Sequence, residues 1–295
     1  MSCCFAGTSL RHLPLRRRSG YDDVEFGMRL AAFTGAESLS LSQALGMTKQ
    51  TLSGLTHFPR VIHLTVTLSS LPLLTAALQV TQLQSLHLTW RPPGCTVSSV
   101  NAVQSQNVAQ LPWTNLLQLK SLELRPARVP LMGTFDRVSV LTNLENLHVC
   151  GYPSMDGLRN LKKLTSLSIT ADDLIPADEG EYAAHTHVLT SLQTLSQLRR
   201  LCLAEQHDCQ FGRVSTLTNL SCLEIYGIHP MLDEPVDQVM SLTKLCHLTR
   251  LQKFYCRFGC GAEARMAEEC DYPIMLGLRS APQQIAINHT NMRYA

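Results

Sequence analysis

The stretch "LTNLENLHVCG" places apolar side chains at Leu141, Leu144, Leu147 and Val149, with polar residues filling the gaps between them. The steps are three, three and two residues. The same spacing recurs at Phe33/Ala36/Leu39/Leu41, Phe58/Val61/Leu64/Val66, Val80/Leu83/Leu86/Leu88 and Leu116/Leu119/Leu122/Leu124. It continues at Leu161/Leu164/Leu167/Ile169, Leu195/Leu198/Leu201/Leu203, Leu217/Leu220/Leu223/Ile225 and Leu248/Leu251/Phe254/Cys256. In a chain this apolar, four such slots match by chance in about 4% of windows, so apolarity alone proves little. The residue choice is decisive, because Leu fills 25 of the 36 slots. Near-copies also recur, "LTNL" at 141 and 217 and "LTSL" at 164 and 189, with "LTKL" at 242. These are internal repeats.

Each unit predicts two kinds of backbone. The final two-residue step has strand period, which sends its two apolar residues inward and the residue between them outward. The preceding three-residue steps suit a tight turn or a short helix packed behind the strand. No unit buries its own apolar face, so stacked units must form a parallel ribbon over a continuous core.

The runs "LENLHV", "LTSLSI", "LRRLCL" and "LSCLEI" resemble the L-x-x-L-x-L pattern of the leucine-rich repeat family, of an irregular, short-repeat type. The resemblance covers roughly residues 28 to 260. Marking each unit by its third apolar residue gives 39, 64, 86, 122, 147, 167, 201, 223 and 254, so the unit lengths are 25, 22, 36, 25, 20, 34, 22 and 31. The resemblance implies an α/β leucine-rich repeat solenoid, with a curved parallel sheet on the concave side and irregular or short helical convex segments. Residues 1–27 are expected as a flexible tail, 28–260 as the solenoid of about nine irregular repeats, and 261–295 as a C-terminal cap with a tenth repeat at Ile285 and Ile287. The extra residues of the long units fall in 90–115, 171–194 and 227–244, which read as excursions from the coil.

One departure from the family is clear. Its members usually carry Asn three residues after the second strand Leu, where it satisfies buried backbone groups. Those positions here hold Ala44, Ser69, Arg91, Ala127, Tyr152, Asp172, Gln206, Ile228 and Gly259. Other groups must therefore partner the buried backbone between repeats.

Composition narrows the classes of function. The chain has 295 residues, 45% hydrophobic and 16% charged, which describes a folded chain with a sizeable core. A net charge of +2 gives no broad field of either sign, so nucleic acid is not an expected partner. No stretch reaches the roughly 18 apolar residues of a membrane span. Eleven cysteines, an odd number with no export signal, point to a reducing compartment and a cytoplasmic location. The Arg-rich, acid-free start before Asp22 leaves an organelle transit peptide as the alternative to a plain tail.

Motifs for chemistry are missing: there is no Walker-type G-x-x-x-x-G-K-[ST], H-E-x-x-H, G-x-S-x-G or strand-flanked G-x-G-x-x-G. A non-enzymatic protein without a cofactor is expected. Cys246, His247, Cys256, Cys260 and Cys270 have the residue types of a zinc site, and a metal or redox protein built on them is the competing reading. Their spacing lacks paired C-x2-C knuckles, and Cys256 falls in an inward slot. The acidic stretch from Asp172 to Glu181 ahead of "HTH" at 185–187 reads as a solvated loop, as do Asp233, Glu234 and Asp237. Ser2 in "MSCC" does not fit N-myristoylation.

The residues alternating with the inward leucines should face outward on the strands. From Ser38/Ser40/Ser42 to Ser166/Ser168/Thr170 they are mostly small hydroxyls, whereas the last three triplets gain Arg, Tyr, Lys and Glu. Tyr and Arg dominate interface hot spots, so Arg200, Glu224, Tyr226, Lys253, Tyr255 and Arg257 are the expected anchor for a protein or peptide partner. The leading expectation is an interaction scaffold. An alternative is a recognition fragment of a larger ubiquitin-ligase or signalling assembly, and a third reading is a purely structural fragment that has lost an N-terminal cap or effector domain.

Overall fold

A computed structural model describes residues 12–14, 35–41, 60–68, 71–90, 112–126, 138–150, 156–170, 192–204, 214–228, 245, 247–258 and 285–287. The chain divides into two compact units, Met1–Val129 and Pro130–Ala295.

In the first unit five strands follow one another in sequence order: β1 (His12–Pro14), β2 (Ser38–Leu41), β3 (His63–Leu68), β4 (Ser85–Trp90) and β5 (Ser121–Pro126). Each pairs in parallel with the next, and the register aligns Leu39, Leu64, Leu86 and Leu122 in one row and Leu41, Val66, Leu88 and Leu124 in another. All eight side chains are buried. β1 lies within the 1–27 stretch set outside the repeats by the sequence pattern; its Leu13 pairs with Leu39. The one α-helix among the described residues, α1 (Leu71–Ala77), connects β3 to β4 and has Pro72 in its first turn, where a missing N–H costs nothing.

The second unit repeats the scheme with β6 (Asn146–Cys150), β7 (Ser166–Thr170), β8 (Arg200–Ala204), β9 (Cys222–Ile228), β10 (Lys253–Phe258) and β11 (Ile285–Ile287). These too pair in parallel and in sequence order, with Leu147, Leu167, Leu201, Leu223 and Phe254 in one buried row. The expected tenth repeat has its strand: Ile285 pairs with Phe254 and Ile287 with Cys256. Between β9 and β10 the register skips Gly227, a bulge directly after the Tyr226–Arg257 pair.

The approach to each strand is a string of tight turns. Leu161 N–H donates to Leu158 O at 2.9 Å and Leu164 N–H to Leu161 O at 3.0 Å; Leu195 and Leu198, Leu217 and Leu220, and Leu248 and Leu251 do the same in their repeats. Three-residue hydrogen-bonded steps eclipse every third side chain, so one stripe faces the core. That stripe begins one turn earlier than the four-slot pattern shows. Ala77, Trp113, Val138, Leu158, Leu192, Val214 and Leu245 stand three residues ahead of the first slot, and all are buried. Trp113 and Leu192 fall within the stretches 90–115 and 171–194 that the sequence marks as excursions, yet both are core residues. Most of the rest of those excursions, and nearly all of 227–244, lie outside the described residues.

The backbone between repeats is satisfied at the strand starts. Glu145 O accepts from both Thr165 N–H, at 2.8 Å, and Ser166 N–H, at 3.0 Å; Thr165 O then serves Arg199 and Arg200, Arg199 O serves Ser221 and Cys222, and Ser221 O serves Gln252 and Lys253. Glu37, Ile62 and Gln84 play this part in the first unit. A carbonyl has two lone pairs, so one acceptor for two consecutive N–H groups leaves no donor stranded. Side chains reinforce the join. Asn219 of the second "LTNL" donates to Ser196 O at 2.8 Å and accepts from Arg250 at 2.6 Å, while Asn143 of the first accepts from Lys163 at 2.6 Å. Of the nine positions where the family's Asn would stand, all but Ile228 lie outside the described residues.

Truncating the newly found slot tests its place in the core. Leu192→Ala should lower unfolding free energy by about 2–4 kcal/mol, as Leu198→Ala should, because both vacate fully buried volume. Denaturant titration gives the comparison; a Leu192→Ala loss below about 0.5 kcal/mol would show a solvated excursion instead.

Candidate functional site

Alternation along each strand delivers a polar outer face. In the second unit the register puts Asn146, Ser166, Arg200, Cys222 and Lys253 in one row across five strands, and His148, Ser168, Cys202, Glu224 and Tyr255 in the next. Arg200 and Lys253 are exposed, whereas Cys222 between them is only 6% exposed. With strands about 4.8 Å apart, the two cations rise from the sheet about 10 Å from each other. Glu224 and Tyr255 are partly buried neighbours in the second row. Tyr226 and Arg257 are paired in backbone register one step further along, and their side chains lie outside the described residues. Four of the six anchor residues expected from the sequence thus stand in two adjoining rows.

An open groove of about 440 Å³ crosses the strand starts, from Asn146 and Ser166 past Arg200 to Lys253, with Thr165, Arg199, Ser221, Cys222 and Gln252 completing its lining. Arg199 and Gln252 were missed by the sequence reading because they precede the strand alternation. The doublet in "LRRL" was the available signal: its first Arg occupies the position that carries the inter-repeat hydrogen bonds.

Thiols on this face are held protonated. Burial pushes the Cys202 thiol above its ordinary value, a hydrogen bond with Ser168 pulls it partly back, and the charge of Glu224 and the neighbouring Cys222 raise it again. Burial likewise raises Cys222, helped by its hydrogen bond to Glu224 Oε1 at 3.5 Å and by that carboxylate's charge; Arg200 and Lys253 oppose the rise. These are poor nucleophiles, since the thiolate is the reactive form. Among the described residues no group of His, Cys, Asp or Glu is arranged to hold a metal ion. Cys246, Cys260 and Cys270 lie outside the described residues, as does the side chain of Cys256; His247 is exposed.

The outer face of the first unit has its own charged group. His87 Nδ1 lies 2.7 Å from Glu123 Oε2, and Arg125 Nε donates to Glu123 Oε1 at 2.5 Å, so that Arg is already neutralised. Burial lowers the His87 pKa from 6.5; Glu123 opposes this and Arg125 adds to it. The ring is therefore neutral at pH 7 and its Nδ1–H donates to the carboxylate.

No family model matches the sequence, and no curated protein matches it. Among solved structures, an internalin of Listeria monocytogenes aligns with a TM-score of 0.51 at 14% identity, covering 89% of this chain and 70% of that one. A second internalin of that species aligns with a TM-score of 0.44 at 12% identity, covering 89% of this chain and 92% of its own. No helix among the described residues is long and apolar enough to cross a membrane.

The lowered His87 pKa sets a pH dependence. A ring kept neutral in the folded state contributes stability that is complete above about pH 6.5 and is lost as pH falls from there toward the folded value. Wild type should lose more unfolding free energy between pH 7 and pH 5 than His87→Gln, measured by denaturant titration; equal losses would show that His87 titrates as it does in the unfolded chain.

Strand rows in register, inward leucines at fixed spacing and the structural likeness agree: the chain has the leucine-rich repeat fold.

Proposed function

We propose that this chain is a non-enzymatic binding scaffold, and that the outer face of its strands in the second unit docks a protein or peptide partner. The observation that carries this reading is the register. It gathers Arg200, Lys253, Glu224 and Tyr255 from three different repeats onto two neighbouring rows beside an open groove. Parallel stacking makes such rows extended and continuous, and each repeat changes one or two side chains without disturbing the leucines behind them. Tyr255 supplies amphipathic contact area at low entropic cost, and Arg200 supplies fork-shaped hydrogen bonding. Tyr226 and Arg257 belong to the same proposed anchor by their backbone positions.

The test is affinity capture from native lysate with three proteins of equal circular dichroism: wild type, a Tyr226→Ala/Tyr255→Ala/Arg257→Ala variant and a Ser40→Ala/Thr65→Ala variant. A partner should be retained by wild type and by the second variant and depleted about tenfold or more by the first, as expected for hot-spot truncation. Equal retention by all three would move the working surface off this end of the strand face.

A further inference from the structure

The described lining of the groove is cationic. It includes Arg199, Arg200 and Lys253 and no carboxylate. Among the described residues none of these three cations has an ion-pair partner, in contrast to Arg125 of the first unit, which Glu123 neutralises. Glu224, in the adjoining row, accepts the hydrogen bond of the Cys222 thiol and is not among the described lining residues. The thiols add no charge of their own, because burial holds them protonated. With a net charge of only +2 on the whole chain, this patch is local rather than part of a general basic field.

We infer that the groove binds an acidic peptide segment in extended conformation, laid across the strand starts with carboxylate side chains on Arg200 and Lys253. This rests on the strand-face reading above and names the partner's chemistry. An extended chain repeats its side chains on one face about every 6.8 Å, and two long cationic side chains rooted about 10 Å apart over the buried Cys222 close that difference by flexing inward. Acidic residues at alternate positions therefore match the site. Arg199 stands beside them for a third carboxylate. The two ends of the groove differ: neutral Asn146 and Ser166 line it at β6 and β7, and the cations line it at β8 and β10, so the acidic part of the peptide lies over β8 to β10 and away from β6.

The experiment uses the full chain and labelled peptides of alternating Glu and Ser, or Gln and Ser, read by fluorescence anisotropy. At about 50 mM salt the Glu peptide should bind about tenfold or more tightly than the Gln peptide, and the difference should shrink at about 300 mM. Arg200→Glu/Lys253→Glu should abolish the preference. Arg200→Gln/Lys253→Gln should reduce it, which covers the case in which charge reversal disturbs folding. Arg159→Glu/Lys162→Glu, the same charge change on exposed turn residues, should stay within about twofold of wild type. Equal loss in that control would overturn the inference, because net charge alone would explain it. Equal binding of both peptides, lost from a Ser168→Arg/Tyr255→Ala variant, would overturn acid selectivity while leaving peptide docking on the strand face intact. Acid-selective binding that survives both Ser168→Arg/Tyr255→Ala and the Arg200/Lys253 variants would place the site elsewhere and defeat both readings. Binding of neither peptide would overturn the inference, and the capture experiment would then judge the scaffold reading by itself.

Discussion

A repeat of this chain cannot cover its own leucines, and the structure depends on that shortage. The repeats described throughout offer five apolar side chains in line, such as Leu158, Leu161, Leu164, Leu167 and Ile169, all buried in the stack. Covering one such Leu is worth roughly 1.5–3 kcal/mol, but only when a neighbouring repeat supplies the cover. The same neighbour must also take the N–H groups at the strand start, and the shared carbonyl of Glu145, Thr165, Arg199 or Ser221 does so. Burial and hydrogen bonding thus impose one geometry: strands parallel, in register and a fixed spacing apart.

That geometry separates stability from recognition. Inward positions are confined by packing to apolar side chains, most of them Leu, so their identity carries little information about function. Outward positions are released from the core, and register decides which of them become neighbours. Arg200 and Lys253 are 53 residues apart in sequence and two strands apart in the sheet. The face is polar at its margins and holds neutral thiols between its charges, which favours contacts made by positioned side chains over contacts made by reactive ones.

Much of this was legible in the sequence. Leu recurring at steps of three, three and two gave the strands, their parallel order and the outward triplets, because each follows from period alone. The fifth slot was less visible since Ala77, Trp113, Val138 and Val214 are not Leu; Leu158 is, and Leu192 in "LTSL" and Leu245 in "LTKL" also repeated the near-copy motif one turn early. β1 was hidden because three residues, one of them Pro14, carry no period. The small-hydroxyl reading of the first triplets passed over Glu123 and Arg125, which neutralise each other two residues apart on one strand face. Arg199 was missed for a physical reason: it precedes the alternating stretch and enters the groove through the turn. The role of the Asn in "LTNL" also needed three dimensions, since its partners Ser196, Arg250 and Lys163 lie in adjoining repeats.

The proposed scaffold works through its outward strand rows and not through its turn side. Site-specific photo-crosslinking tests it most directly, with a photoreactive residue placed singly at Ser168, at Tyr255 and at the exposed turn position Lys162 of the full chain in native lysate. Adducts of one size from Ser168 and Tyr255, and none from Lys162, are the expected result. Adducts from Lys162 with none from either strand position would put the partner on the turn side instead.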